Sequence, residues 1–275
     1  MMGRVSLLAL LMSLGSLATA LFLVAPFIVV LPNGFSSAAY LQFPAPGPSL
    51  QWFRHFFADP TWTRALSTSL RVGIGAAALA TAAGTAAALA LDDWTFRGKA
   101  ALTFMLISPL VVPAVIVGIA AYTFFVGMHW YGSLGGLIAT HAILGLPYVL
   151  LSVLAALSRL DRRIRLAALS LGAGPPRVFR EITLPLVLPS ILSGAVLAFV
   201  ISFDDVVVAT FLANVRTTTL PMRMFQAVES ELDPTIAAVS TLLIGFAILV
   251  LLALSTMRML EQRQRTPSSH PEEVT

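Results

Sequence analysis

The stretch Ser158–Leu186, SRLDRRIRLAALSLGAGPPRVFREITLPL, is the most charged segment of a very apolar sequence and lies between two long hydrophobic runs. Its first half reads as a helix over Arg159–Leu171. Gly172 then stands at the C′ position, where a left-handed conformation suits glycine. Pro175 and Pro176 follow, at positions where proline's fixed φ and missing N–H favour the first turn of a second short helix. That helix is expected to end near Leu184, because Pro185 interrupts it. In the first helix Leu160, Ile164, Ala167, Ala168 and Leu171 follow the spacing of one buried stripe. The opposite side carries Arg162 and Arg165 together with Leu166 and Leu169. Two leucines among arginines fit a helix docked on a partner, and equally an amphipathic helix lying on anionic lipid headgroups.

The wider composition sets the environment. Of 275 residues, 57% are hydrophobic and 11% are charged, against roughly 25% charged in soluble domains. The chain therefore reads as an all-α membrane protein. It contains no cysteine, which excludes a disulfide framework, a thiol nucleophile and a thiolate metal site. Six apolar runs, near 5–31, 65–91, 100–127, 134–157, 187–213 and 235–257, are long enough for a hydrocarbon core that needs about 20 helical residues. Between them the basic residues sort unevenly. Twelve arginines and lysines fall on the side of the termini and the 158–186 loop, and four (Arg54, Arg64, Arg216, Arg223) on the other. The positive-inside rule makes the twelve-residue side cytoplasmic, both termini included. The basic balance thus reads as membrane topology and not as nucleic-acid binding. Arg4 and the apolar run after it mimic a secretory signal, but hydrophobicity continues unbroken to Leu31, which favours an uncleaved anchor.

Other features fall into place along the spans. Residues 32–64 form an external segment rich in proline and aromatics, with an interfacial aromatic belt as its simplest reading. In the second span Ala76, Ala80, Gly84 and Ala88 recur every four residues, the pattern that lets helices approach closely in lipid. Gly73, Gly75 and Ala78 echo a dinucleotide fingerprint, but no strand precedes them. Pro109 and Pro113 predict kinks in the third span. His129 and His141 are isolated from any metal-ligand spacing and read as polar interhelical or interface contacts. In the fifth span Asp204 and Asp205 lie in an apolar helix, where each costs roughly 2.5–3.5 kcal/mol on insertion scales and must face a cavity or a partner. One reading places them on a pathway. The other makes them a structural pair satisfied by a subunit interface, with Arg71 of the second span as the internal counter-ion. No phosphate-binding loop, nucleophile–base pair or zinc-protease motif occurs, so the chain is expected to be non-catalytic, with no cofactor or metal of its own. The polar tail 261–275 is expected to be disordered.

The spacing Ala167-Ala168, Gly172, Ile182, Leu184-Pro185 resembles the cytoplasmic EAA loop of ABC-importer permeases. The family pattern there is E-A-A, three residues, G, nine residues, I, one residue, L-P, and Leu166 stands where it has glutamate. The external run YLQFPAPGPSLQWFRHFFADPTW and the stretch Asp204–Leu243 also resemble the spermidine/putrescine-type permeases. That resemblance implies a type I importer permease fold, one six-span domain with the 158–186 loop as the ATPase-coupling element. It places coupling on Arg162, Arg165, Leu166, Ala167, Ala168, Leu169 and Gly172, while the two carboxylates in an apolar span make Asp204 and Asp205 the expected cationic substrate pathway. It further implies a second permease, two ATPase subunits that bind ATP and magnesium, a periplasmic or extracellular solute-binding protein, and a bacterial inner membrane. The alternative is a secondary transporter using Asp204 and Asp205 as a proton relay; such carriers commonly show internal repeats and need no coupling loop.

Because the chain is cysteine-free, topology can be read directly. Single cysteines at Ser158 and Ser49 should label from opposite sides of intact cells, Ser49→Cys from outside. Reaction of Ser158→Cys with an impermeant external reagent, with Ser49→Cys protected, would invert the arrangement.

Overall fold

The computed structural model describes residues 7–230 and 233–249, and every regular element among them is helical. They fall into two compact units, one spanning Pro60–Gln226 and one built from the described parts of residues 1–59 and 227–275.

The larger unit is organised by α3 (Pro60–Asp93), α6 (Leu134–Leu157) and α9 (Leu184–Asp204), which pack on one another. In lipid there is little hydrophobic drive between helices, so association depends on close van der Waals fit between small residues. The expected small-residue row does this: Ala76, Ala80, Gly84 and Ala88 are all buried. The tightest approach is at Gly194 of α9, where a Cβ would lie 2.8 Å from the Val149 Cα of α6. Only a residue without a side chain admits a neighbouring backbone at that distance.

The third expected span is not one straight helix. It consists of α4 (Lys99–Ile107), a 3₁₀ turn Ser108–Leu110, and α5 (Ala114–Gly127), with a bend of 102° between its halves. Pro109 and Pro113 bracket the break. Neither proline can donate a backbone hydrogen bond, so the chain turns sharply instead of merely kinking. The fourth span matches α6, which Ser133 caps by accepting the Gly136 N–H at 3.0 Å.

The fifth span departs from expectation at both ends. In the loop, α7 (Arg162–Ser170) is followed by α8 (Pro175–Val178), five residues of π-helix at Phe179–Thr183, and then α9. The second short helix therefore does not stop at Pro185. The Leu184 N–H bonds back five residues to Phe179 O, and this wide turn relieves the clash that Pro185 would otherwise make with the carbonyl four residues earlier. At the other end α9 stops at Asp204, and a separate short helix, α10 (Val207–Leu212), follows. The two aspartates thus sit at a helix break and not within a continuous helix.

The smaller unit contains α1 (Leu7–Gly34), α2 (Gln51–Ala58) and α12 (Thr235–Leu249). Its proline-rich segment is a folded loop: Ser49 N–H donates to Phe35 O at 2.7 Å, Gln42 N–H to Asn33 Oδ1 at 3.2 Å, and Trp52 Nε1–H to Ala38 O at 3.1 Å. His55 Nδ1 lies 3.1 Å from Thr235 Oγ1. The helix α11 (Leu220–Ser230) crosses the boundary between the units. Among the described residues four helices are long and apolar enough to cross a membrane, or five if the bent pair counts as one span. The expected sixth span at 235–257 is described only as far as Leu249. Residues 250–257, Arg4, Arg258, Arg263, Arg265 and the 261–275 tail lie outside the described residues.

Candidate functional site

The 158–186 loop is built as a cap, a helix, a left-handed turn and a second helix. Asp161 caps α7 by accepting the Arg163 N–H at 2.8 Å. At the far end Gly172 adopts φ +87°. Its N–H donates to Leu169 O at 3.0 Å and that of Ala173 to Ala168 O at 3.1 Å, the pair of bonds of a Schellman motif with Gly172 at C′. Pro175 then opens α8, as its missing N–H allows.

The orientation of α7 corrects the helical-wheel reading. Ile164 and Leu171, expected in a buried stripe, are 48% and 88% exposed, and Ala167 is exposed as well. The residue drawn inward is Arg165. Its Nη2 donates to Asp92 Oδ2 at 2.8 Å and its Nη1 to Asp93 Oδ1 at 2.9 Å, leaving the arginine side chain only 14% exposed. Those carboxylates, the last two residues of α3, decide which face turns inward, because a guanidinium fork matches paired carboxylate oxygens better than a leucine face matches a helix end. Leu166 and Leu169 remain 60% and 42% exposed, as expected of the arginine side. They line a cleft of about 450 Å³ with Asp93, Arg165 and Phe179. The Arg162 side chain lies outside the described ones. Asp92 and Asp93 were not singled out by sequence reasoning; the only signal was an acidic pair at the end of a span bound for the arginine-rich side.

The second cluster lies at the break between α9 and α10. Asp205 is in an extended conformation, and its Oδ2 accepts the Ala209 N–H at 3.0 Å, capping α10. The same oxygen lies 3.8 Å from His141 Nε2. His141, on α6, is fully buried, and its Nδ1 sits 3.0 Å from Ser202 Oγ and 3.1 Å from Ser202 O. Its Nε2 has no hydrogen-bond partner of its own. The isolated histidine is thus an interhelical contact joining α6 to both sides of the break. Asp204, by contrast, is exposed; it follows Phe203 in sequence, whose ring stacks on that of Phe199 with centroids 5.6 Å apart. The arrangement therefore separates the two carboxylates: Asp205 is held by the fold and Asp204 faces out. Arg71 is exposed on α3 and makes no ion pair with either aspartate. It is not the counter-ion the structural reading invoked; His141 stands nearest Asp205 instead. Among the described residues no group of three histidines or carboxylates could hold a metal ion.

Comparison with known proteins gives the same architecture a context. The family described as "Binding-protein-dependent transport system inner membrane component" matches residues 80–266. The chain is 37% identical over 231 residues to the putrescine transport system permease protein PotI of Escherichia coli K12, covering 82% of each chain. It is 33% identical over 239 residues to the spermidine/putrescine transport system permease protein PotC of Haemophilus influenzae, covering 86% of this chain and 93% of that one. Its fold is similar to a chain in the crystal structure of a bacterial ABC transporter involved in the import of the acidic polysaccharide alginate. The TM-score is 0.77 at 13% identity, over 93% of this chain and 98% of the other.

The Gly172 turn carries a direct test. In Gly172→Val a branched side chain must occupy φ +87°, at a cost of about 1–2 kcal/mol. Amide hydrogen exchange over residues 166–173 should accelerate about tenfold as the Schellman bonds open. Unchanged protection there would show that the turn is not what fixes α7 against α8.

Proposed function

The chain belongs to the family of binding-protein-dependent transport system inner membrane components, and on that premise we propose that it forms half of the path by which an ATP-driven importer takes up a small polyamine. Similarity to two polyamine permeases over more than four-fifths of the chain carries the substrate class. The second half of the path is a second permease. Two ATPase subunits on the cytoplasmic side bind ATP and magnesium and dock on the 158–186 loop, and a solute-binding protein delivers the polyamine on the other side. Both termini of this chain lie in the cytoplasm, as its basic loops favour. In the transport cycle, closure of the ATPase dimer displaces the coupling loop and α3, α6 and α9 reorient to open the path to the other side.

Docking uses the face that the fold leaves free. Gly172 sets the angle between α7 and α8; Leu166 and Leu169 offer apolar side chains at the cleft, and Ala167, Ala168, Ile164 and Leu171 a second apolar strip on the other side of α7. Leu166, standing where the family pattern has glutamate, makes that surface more apolar. In the path, Asp204 supplies a negative charge at the end of α9, where the helix's terminal carbonyls add partial negative charge of their own. Unwound backbone with a carboxylate beside it suits a passing ammonium group. The same features offer no proton relay, since Asp205 is already committed to the α10 N-terminus and to His141.

Two measurements test these roles. Asp204→Asn should lower putrescine uptake about tenfold while the complex still assembles, whereas Asp205→Asn should lower the amount of assembled complex. Normal uptake in Asp204→Asn would remove Asp204 from the path. Separately, Leu171→Asp should release the ATPase from membranes that still contain the permease; retention of the ATPase at wild-type levels would exclude this face from docking.

A further inference from the structure

The loop has two connections to the helices behind it. One is covalent, through the π-helical turn Phe179–Thr183 into α9. The other is ionic: Arg165 spans both terminal carboxylates of α3, seventy-two and seventy-three residues away in sequence. We propose that Arg165 is a positioning residue that clamps the coupling helix to α3, so that α3 moves with the loop during the cycle. The inference rests on the reading of 158–186 as the coupling loop.

Three observations favour a mechanical clamp over an incidental surface pair. An exposed ion pair holds little, because water screens it and two flexible side chains must be ordered. Here the arginine and Asp92 side chains are only 14% and 11% exposed, and both terminal guanidinium nitrogens, Nη1 and Nη2, are engaged, which fixes orientation as well as distance. Asp93 is 52% exposed, so Asp92 is the firmer anchor. Arg165 is also the residue that turns α7 away from the wheel expectation, since its pairing is what leaves Ile164 and Leu171 outside. Finally, α3 is a suitable element to carry motion. It is a single helix of 34 residues without an internal proline, and its other end is held as well. Ser69 Oγ accepts the Leu220 N–H at 2.7 Å, and the Arg223 guanidinium lies 5.1 Å from the Trp62 ring centroid. Without the clamp the loop would still lead into α9, but α3 would follow only through side-chain packing.

The test uses the full chain co-expressed with its second permease and ATPase, reconstituted in liposomes with the binding protein. Putrescine moved per ATP hydrolysed is measured together with an ATP-dependent spectral change from a nitroxide at Arg64→Cys, near the other end of α3. Arg165→Gln should leave the ATPase bound and hydrolysing. Putrescine moved per ATP should fall about tenfold, in the range expected for a contacting pair, and the nitroxide signal should lose its response to ATP. Asp92→Asn should act more strongly than Asp93→Asn. Arg165→Glu combined with Asp92→Arg, which keeps the local charge sum, should restore both readouts, as loss of a merely structural contact followed by charge reversal would not. Wild-type coupling in Arg165→Gln overturns the proposal, as does failure of the charge swap. Loss of the ATPase from the Arg165→Gln complex would make Arg165 a docking contact and overturn it too. A wild-type complex that retains no ATPase would remove the coupling-loop reading itself, and the clamp with it. One that retains ATPase but moves no putrescine would count against the substrate alone, and the nitroxide response would still decide the clamp.

Discussion

The close contact of three helices through residues with little or no side chain is the constraint on which the larger unit depends. Gly84 and Gly194 both meet Val149, and Gly145 meets Ala198, at distances that a side chain would close. In lipid such fit has to replace the solvent-driven burial available in water. Its consequence reaches the loop, because α6 leads into the loop, α9 leads out of it, and α3 ends against it at Asp92 and Asp93. A wider α3–α6–α9 packing would carry those carboxylates away from Arg165. The placement of α7 is thus set by glycine and alanine within the α3–α6–α9 packing as much as by the charges at its edge.

The break between α9 and α10 shows how an apolar segment can carry two adjacent acids. A continuous helix would project them about 100° apart and bury at least one among apolar neighbours. Ending the helix at Asp204 lets Asp205 satisfy a backbone N–H of α10 and face the His141 imidazole. The Ala209 N–H at the start of α10 is thereby paired inside the protein, which the absence of water in the hydrocarbon region demands. Asp204 stays exposed, with no ion pair among the described residues.

Legibility in the sequence followed the range of the forces involved. Local rules were readable: Gly172 at a left-handed position, Pro175 at a helix start, the small-residue row of α3, and the limits of α6 at Leu134 and Leu157. Rules that depend on a distant partner were not. The inward face of α7 could not be read because amphipathic logic turns arginine outward, and the carboxylates that draw Arg165 in belong to another helix. The α9–α10 break was hidden for a similar reason. No glycine or proline marks it; a side-chain cap within the fifth segment and a histidine from α6 hold it. Pro109 and Pro113 announced a disturbance in the third span, but the sequence carried no measure of an angle as large as 102°.

The length of α3 has a kinematic consequence. Thirty-four residues make a rod about 51 Å long. One degree of tilt about its Asp92–Asp93 end displaces its Pro60 end by about 0.9 Å, from the same rise per residue. Small angular changes at one end of such a rod become displacements comparable to a hydrogen-bond length at the other, where Ser69 and Trp62 meet Leu220 and Arg223. Under the proposed clamp, rotation at the loop end of α3 becomes translation at its Pro60 end, in a ratio fixed by the helix length.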